Sequence, residues 1–571
     1  MAAATVYLQD ECYKHQYIRT SDLSCIVERP ERIRAVKVGV AGAVAQANIL
    51  HSKSKSKQEG PDLSLEDALE RLNIGSSSPA PGRIAIARST ASVDLLHHPA
   101  VKFVHGDIDG DKHIPRLVKL AAESTERIRN GESEIPAELG WKQGDVYLCP
   151  ESVAAMEGAA GTVVEAVDAV LLPGAQTTRA FAVIRPPGHH CGEDTPEGFC
   201  FINNVAIAAA HAHLKHGVNR AVIFDIDLHH GNGTQSIAWQ INEETYRQTL
   251  ESEGGAPHVK PGPMIFYGSV HDILSYPCED GTPNLVQAAS VSIHGAHGQH
   301  IENVHLEAYE DEERFHGQLY AKYSTLLSKA ERFLDTTGEN EDCIFFISCG
   351  MDACEHEYAS MSRHNRKVPV SFYHRFTRDV CALADRRGKG RVVSVLEGGY
   401  SDRALISGAM AHVLGLAGVG DWEEGRSWWG EERLKMLENA TKPKKRGGRP
   451  SRGAAASPAD EDWVQSAAET FRGIDEGFVR CTPPLPSRTS TRLRGRGGTP
   501  TTSPGKPVRT TVKANLKAPV PVKQVEGHGG EESELSELTD SEEEEEEKPK
   551  PKTLPRVVLK LGPDPAVGGV R

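Results

Sequence analysis

No two cysteines of this 571-residue sequence stand in a CxxC pair. The eleven cysteines, among them Cys12, Cys25, Cys149, Cys191 and Cys200, are scattered singly and odd in number. That argues against a disulfide scaffold or a cysteine-rich zinc module and favours a reducing compartment, cytosol or nucleus. No run of about eighteen uncharged apolar residues appears, so no membrane span is expected. The start, MAAATVYLQDECYKH, has no basic stretch followed by an apolar one, so no secretory leader is expected either. No GxGxxG leads into a helix, which removes the usual signature of a nicotinamide cofactor.

The chain carries 65 Lys+Arg against 79 Asp+Glu, a net charge of −14. From residue 441 onward there are 23 basic and 19 acidic residues, so the acidic surplus lies before it. An acidic front argues against non-specific nucleic-acid binding by that part. Composition also breaks near Thr441, beyond which come KPKKRGGRPSRG, a Pro/Thr/Arg-rich stretch, ELSELTDSEEEEEE and a Lys/Pro-rich end. Such segments bury too little apolar surface to fold. The organisation expected is one α/β domain over 1–440 and a disordered tail over 441–571. Within the tail, Trp463, Val464, Ala467, Phe471 and Ile474 recur at helical spacing between Asp460 and Phe478, and that stretch is expected to dock. Residues of about 52–81 (SKSKSKQEG, GSSSPAPG) and about 237–263 read as surface insertions.

Short β-branched runs at Ala180–Ile184, Ala221–Ile226, Met264–Tyr267, Ser290–Ile293, Cys343–Ser348 and Val392–Leu396 read as strands. Asn204–His216, Glu310–Leu334 and Thr377–Arg387 read as helices between them. The alternation predicts a mostly parallel sheet with helices on both faces. Five strands run into unusual polar residues: FAVI into RPPGHH, AVIF into DIDLHHGNG, IFYGS into VHD, CIFFIS into CGMDACEH, and VVSVL into EGGY. Open α/β sheets place ligand sites at the carboxyl ends of their strands, so one shared site is the economical reading.

At that edge Asp225, Asp227 and His229 alternate along a strand end and so share one face. Two carboxylates and an imidazole, with Asp352 arriving from another strand, suit a borderline dication such as zinc. Three of the four suffice, because a catalytic zinc keeps a position open. The bland alternative is a helix cap and a loop histidine. His189 and His190 follow the rigid Pro186-Pro187-Gly188 turn and offer a base with an electrostatic partner, rather than two solvated loop histidines. Asp225 and Asn232 are candidates to fix their tautomers. Tyr400, after Gly398-Gly399, is either an oxyanion donor or a rim aromatic. His294, His297, His300 and His305 lack regular ligand spacing and read as a polar surface loop.

Taken together, RPPGHH, GFCFINNVAIAA, DIDLHHGNGTQ, SVH followed by YP, and LEGGY resemble the catalytic core of the zinc-dependent histone deacetylases. IVERPERIRAV is similar to that family's N-terminal segment, and DVYLCPESVAAMEGAAG to its class II form. SCGMDACEHEY points to a fungal subgroup with an enlarged loop. The resemblance spans roughly residues 5 to 435, and motifs in the right order are specific where none is alone. It implies an arginase-like α/β fold and removal of acetyl groups from lysine side chains of histones or other proteins, in chromatin silencing and transcriptional repression. It implies zinc on Asp227, His229 and Asp352, with His190 as general base and acid, His189 as its electrostatic companion and Tyr400 as oxyanion donor. Asp225 would back His189, and Asn232 would back His190. Gly198, Phe199 and Tyr276 would shape a tunnel for the lysine stem, with Asp145 holding the substrate backbone at the rim. A structural potassium would lie at Asp225, Asp227, His229, Ser269 and Val270. The protein would be nuclear, and the sequence is compatible with a cytoplasmic pool and a homodimer.

Three features depart from the family pattern. Asn232 stands where class I relatives carry a carboxylate, although class II enzymes share it. ACEHEYASM lacks the usual Gly-Asp-Pro-Leu, and the stretch from Ile237 to Pro263 is longer than the family minimum. In the tail, Lys444-Lys445-Arg446-Gly447-Gly448-Arg449-Pro450-Ser451-Arg452 resembles an AT-hook for AT-rich DNA, an import signal or a solvating linker. The run Glu542–Glu547 meets basic partners or merely solvates. Rival readings are an arginase-like or polyamine-deamidating hydrolase and a silent acetyl-lysine scaffold. DxDxH with a single further aspartate disfavours two manganese ions, and the intact site residues disfavour silence.

Overall fold

Apolar residues on both sides of a strand need cover on both faces of the sheet, and that requirement organises this chain. The computed structural model describes residues 3–58, 83–106, 112–141, 144–175, 177–255, 257, 261–338, 341–442 and 458–475. Among the described residues nine strands form one sheet: β1 (Ala4–Gln9), β2 (Ile84–Ser89), β3 (Arg179–Val183), β4 (Arg220–Asp225), β5 (Met264–His271), β6 (Ser292–His294), β7 (His300–His305), β8 (Cys343–Cys349) and β9 (Val392–Leu396). Their order is β2-β1-β3-β9-β8-β4-β5-β7-β6. Every pairing is parallel except β6 with β7 at the edge. All residues of β1, β4, β8 and β9 are buried. Because successive side chains face opposite ways, both faces are covered. The helix Ser152–Leu171 packs on β1, β3 and β9, the helices Asn204–His216 and Val370–Arg387 pack on β8, and Asp402–Leu416 packs on β3.

Several expectations need correction. Strands β1, β2 and β7 were not foreseen. The first two are short runs whose partners lie far along the chain, β2 pairing with β1 and β1 also with β3. The Ser290–Ile293 candidate is confined to β6, which pairs antiparallel with β7, so the 294–305 histidines sit in and around an edge hairpin rather than a loop. Residues 237–253 of the stretch read as an insertion continue the helix Asn232–Glu253, which buries Ile237, Ala238 and Ile241. Glu310–Leu334 is not one helix. It breaks into Glu312–Arg314, a π-turn at Phe315–Leu319, Tyr320–Tyr323 and Thr325–Thr337. Residues 52–58 extend the helix Glu31–Gln58, and the rest of the proposed 52–81 insertion lies outside the described residues, as do 443–457 and 476–571 with the AT-hook-like and acidic runs.

Glu31–Ser52 is long and apolar enough to cross a membrane, yet 72% of that window is buried inside the protein. It is a core helix, packed against Asp402–Leu416 and against Pro458–Ile474. The latter belongs to the expected tail. Its Trp463, Ala467 and Phe471 are buried, and Trp463 Nε1 donates to Gly42 O at 3.3 Å. The folded unit therefore continues past residue 440 to this helix, because the apolar face of Glu31–Gln58 needs cover.

Candidate metal and catalytic site

The strands that end in reactive residues, β3, β9, β8, β4 and β5, are five consecutive neighbours at the centre of the sheet. Parallel pairing puts their carboxyl ends side by side, so segments hundreds of residues apart meet along one edge.

Strand β4 stops at Asp225. The residues after it do not alternate along a pleat, as the sequence suggested. They curl instead: Asp225 Oδ1 accepts from the Asp227 N–H at 3.2 Å, and Asp227 Oδ1 accepts from the His229 N–H at 2.9 Å. The curl turns Asp225 toward His189 and sends Asp227 and His229 toward Asp352. One ligand atom from each of Asp227, His229 and Asp352 lies within 4.8 Å of the other two. His229 Nδ1 sits 3.0 Å from Asp352 Oδ2 and 3.2 Å from Asp227 Oδ1. The spare oxygens are tied down, Asp352 Oδ1 by the Leu228 N–H (2.9 Å) and Asp227 Oδ2 by the Gly398 N–H (2.8 Å).

The electrostatics test whether these donors fit a cation. Both carboxylates are fully buried. Burial and repulsion from Asp227 push Asp352 above the usual carboxylate range. Burial opposes charge on His229, but its bonds to Asp227 and Asp352 hold its proton up to about 10. Two buried carboxylates thus draw a proton onto an imidazole that faces both of them. A dication satisfies the same field, with the imidazole giving up its proton to become a ligand. The donor set fits zinc.

Beside the trio, His189 Nδ1 lies 3.1 Å from Asp225 Oδ2, which also accepts from the Tyr267 hydroxyl at 3.1 Å. Burial disfavours charge on His189, yet Asp227 and Asp225 hold its proton up to about 10. His190 behaves oppositely: burial and the neighbouring cationic His189 and His229 push it well below the usual range. Its Nδ1 is 2.8 Å from Asn232 Oδ1, while Asn232 Nδ2 donates to Glu197 Oε2 at 2.9 Å. A carboxylate can only accept, so Glu197 sets the amide with its oxygen toward His190. That places the proton of neutral His190 on Nδ1 and leaves a lone pair on Nε2.

The remaining candidates lie close by. The Tyr276 ring meets His190 edge-on at 4.9 Å, and the Phe199 ring meets Tyr400 at 5.8 Å. Gly198 has φ +52, and a Cβ there would collide with the His190 ring, so the chain passes that ring only as glycine. Phe199, at φ 67, donates its N–H to Asp145 O at 2.7 Å. Burial and the nearby Asp352 and Asp227 keep the Tyr400 phenol protonated, well above its usual range. Ser269 pairs with Asp225 in the β4–β5 ladder, with Val270 next along the buried strand. The Ser269 hydroxyl is engaged by His271 Nδ1 at 2.8 Å.

Sequence reasoning passed over four charged residues. Glu197 stands behind Asn232. Glu397 Oε2 accepts from the Gly188 and His189 N–H groups at 2.7 and 3.2 Å, and its Oε1 accepts from the Ser348 hydroxyl at 3.0 Å. Arg32 donates to Gly399 O at 2.6 Å and to Glu397 O. Glu357 binds the backbone around Tyr400. Glu397 had a signal, being a carboxylate inside the LEGGY motif. The other three act through backbone or amide groups that leave no mark in spacing.

Comparison with known proteins accords with this geometry. A histone deacetylase domain model matches residues 96–416. Histone deacetylase HOS3 of Saccharomyces cerevisiae is 33% identical over 452 residues, 76% of this chain and 59% of that one. A histone deacetylase-like amidohydrolase of Pseudomonas aeruginosa is 31% identical over 279 residues, 48% of this chain and 61% of its own. The chain thus covers about three fifths of the length of these two relatives. The crystal structure of the HDA15 HD domain aligns over 83% of this chain and 99% of its own, at 20% identity and a TM-score of 0.48. The match to the domain model over more than half its length makes this chain a member of the histone deacetylase family.

Proposed function

We propose that the protein is a zinc-dependent lysine deacetylase. The observation that carries the reading is the Asp227–His229–Asp352 trio, both carboxylates buried, beside a histidine whose lone pair is fixed by its neighbours. Zinc held there supplies Lewis-acid polarisation of the acetyl carbonyl and of water. The rest belongs to the chain. His190 Nε2 takes a proton from the attacking water, and Asn232 and Glu197 hold its tautomer. Tyr400 donates its phenolic proton in a hydrogen bond to the oxyanion that develops on the carbonyl carbon's oxygen. His189, kept cationic by Asp225 and Asp227, stabilises that charge, and a histidine proton goes to the departing amine. The C–N bond breaks, giving acetate and the free lysine ammonium. Gly198, Phe199 and Tyr276 line the approach for the lysine stem, and Asp145 lies at its rim.

Acetylated histone tails are the proposed substrates, and the acidic balance before residue 441 suits basic peptides. A role in chromatin silencing, a nuclear location, minor-groove binding through Lys444–Arg452 and a structural potassium at the Asp225–Ser269 ladder join the proposal.

Release of acetate from acetylated histone peptides tests the reading. Activity is expected to vanish with a chelator, return with zinc, and be lost in Asp352→Ala. A metal-replete protein that leaves these peptides intact, or an active Asp352→Ala variant, sinks it.

A further inference from the structure

The segment that delivers Tyr400 has unusual backbone freedom. Gly398 and Gly399 precede the phenol, and Gly399 sits at φ +105, where only glycine is at ease. Two glycines before a side chain that must meet a transient charge give the chain many ways to carry that side chain elsewhere.

The protein removes that freedom with charged side chains from three other segments. Asp227 Oδ2 takes the Gly398 N–H at 2.8 Å. Arg32, fully buried, donates to Gly399 O at 2.6 Å and to Glu397 O, and its guanidinium lies 5.2 Å from the Tyr400 ring centre. From the other side comes Glu357. Its Oε2 accepts from the Tyr400 N–H at 2.7 Å and its Oε1 from the Ser401 N–H at 2.8 Å. The same Oε1 accepts from the Tyr358 N–H at 2.7 Å, so the carboxylate is itself fixed. Ser401 adds a hydroxyl bond to His356 O at 2.8 Å, stitching the two segments together. Glu357 is buried, and nothing in its bonding reaches the metal trio directly.

From this arrangement we infer that Glu357 is the positioning residue for Tyr400. It anchors the backbone just after the two glycines, while Arg32 holds the Glu397 and Gly399 carbonyls and Asp227 the Gly398 N–H, and the phenol is held where the oxyanion forms. The inference rests on the oxyanion role proposed for Tyr400. Glu357 lies in ACEHEY, the stretch noted above as departing from the family pattern. The carboxylate does not merely cap a helix: Ser401 already caps Asp402–Leu416 by accepting from the Ala404 N–H. The Glu357 bonds fall on residues before that helix begins.

The geometry predicts a kinetic signature that a structural role would not produce. Misplacing a group that acts only in the transition state lowers kcat and leaves KM nearly alone. Glu357→Ala loses the bonds to the Tyr400 and Ser401 N–H groups, and Glu357→Gln keeps a single acceptor oxygen, so the losses should be graded. In Glu357→Ala we expect kcat to fall ten- to hundredfold with KM within about threefold. The decisive measurement is a double-mutant cycle with Tyr400→Phe, read as kcat on an acetylated peptide with zinc-loaded protein. If Glu357 works through the phenol, Glu357→Gln has almost no further effect once the hydroxyl is gone. Undiminished, multiplicative losses in the double variant overturn the inference, as does a normal kcat in Glu357→Ala. A normal rate in Tyr400→Phe alone overturns the oxyanion role instead, so the two failures are distinguishable. Should Glu357→Ala not fold, the Glu357→Gln cycle decides alone.

Discussion

Removing the ring of Trp463 should unfold this protein's core more readily, although Trp463 lies in a segment that composition assigns to a tail. The side chain is 0% exposed. Its ring is covered by the Arg433 guanidinium at 4.1 Å, and its Nε1 donates to Gly42 O. Trp→Ala in a packed core costs about 3–5 kcal/mol, transfer and cavity together. For a domain of roughly 400 residues the unfolding entropy is about 0.8–0.9 kcal/mol per degree, so the melting temperature should drop by about 4–6 °C. Trp463→Phe keeps most of the ring and should fall between. Circular dichroism melts of the full chain provide the assay, with limited proteolysis to show whether the Pro458–Ile474 helix detaches first. Two further contacts should fail along with it, the ion pair of Arg34 with Asp475 at 3.3 Å and the cation–π contact of Arg34 with Phe471 at 4.8 Å. A Trp463→Ala protein that melts within about 1 °C of the parent and resists protease equally would refute the claim that this helix belongs to the folded unit.

Acid should destabilise the protein below about pH 6. His15, His105 and His412 are buried and pushed down to about 3, and His113 to about 4, chiefly by burial. Their folded values lie below the unfolded one near 6.5, so the stability they carry is complete above that value and declines as pH falls toward 3–4. Between pH 7 and 5 each loses about 1.5–2 kcal/mol. A melting temperature that stays flat from pH 7 to 5 would contradict this. At the active site, Asn232→Asp should reduce rather than raise turnover. The new carboxylate would face the Glu197 carboxylate across the present 2.9 Å contact, and a charged group left without its partner costs about 1.5–3 kcal/mol, on the order of tenfold or more in rate. Adding Glu197→Gln to that variant should recover activity, and an Asn232→Asp enzyme faster than the parent would count against the His190–Asn232–Glu197 arrangement.

Much of the candidate site could be read from the chain because its residues sit at strand ends, and strand ends carry a strong local signal. FAVI, AVIF and VVSVL are short β-branched runs, and RPPGHH, DIDLHH and EGGY follow them directly. The helix Asn204–His216 was equally legible, since Asn203 caps it by accepting from the Ala206 N–H and Gly217 closes it in the left-handed region. Less legible were β1 and β2, which pair in register with strands distant in sequence. The break at Phe315–Leu319 was also hidden: a π-turn has the composition of the helix around it.

What the sequence determined by itself was the set of reactive groups and the order in which strands and helices present them. Asp227, His229, Asp352, His190 and Tyr400 are written there, as is the parallel sheet that makes their meeting economical. Tertiary structure alone decided which group faces which. Asp225 and Asp227 stand two residues apart, yet a backbone curl gives one to His189 and the other to His229 and Asp352. Glu197, Glu357 and Arg32 gain their roles only when distant segments are pressed together, because a hydrogen bond to a backbone N–H or carbonyl depends on position and leaves no trace in residue type. Tertiary structure likewise decided where the domain ends, since whether a helix beyond a basic linker docks depends on an apolar face elsewhere needing cover.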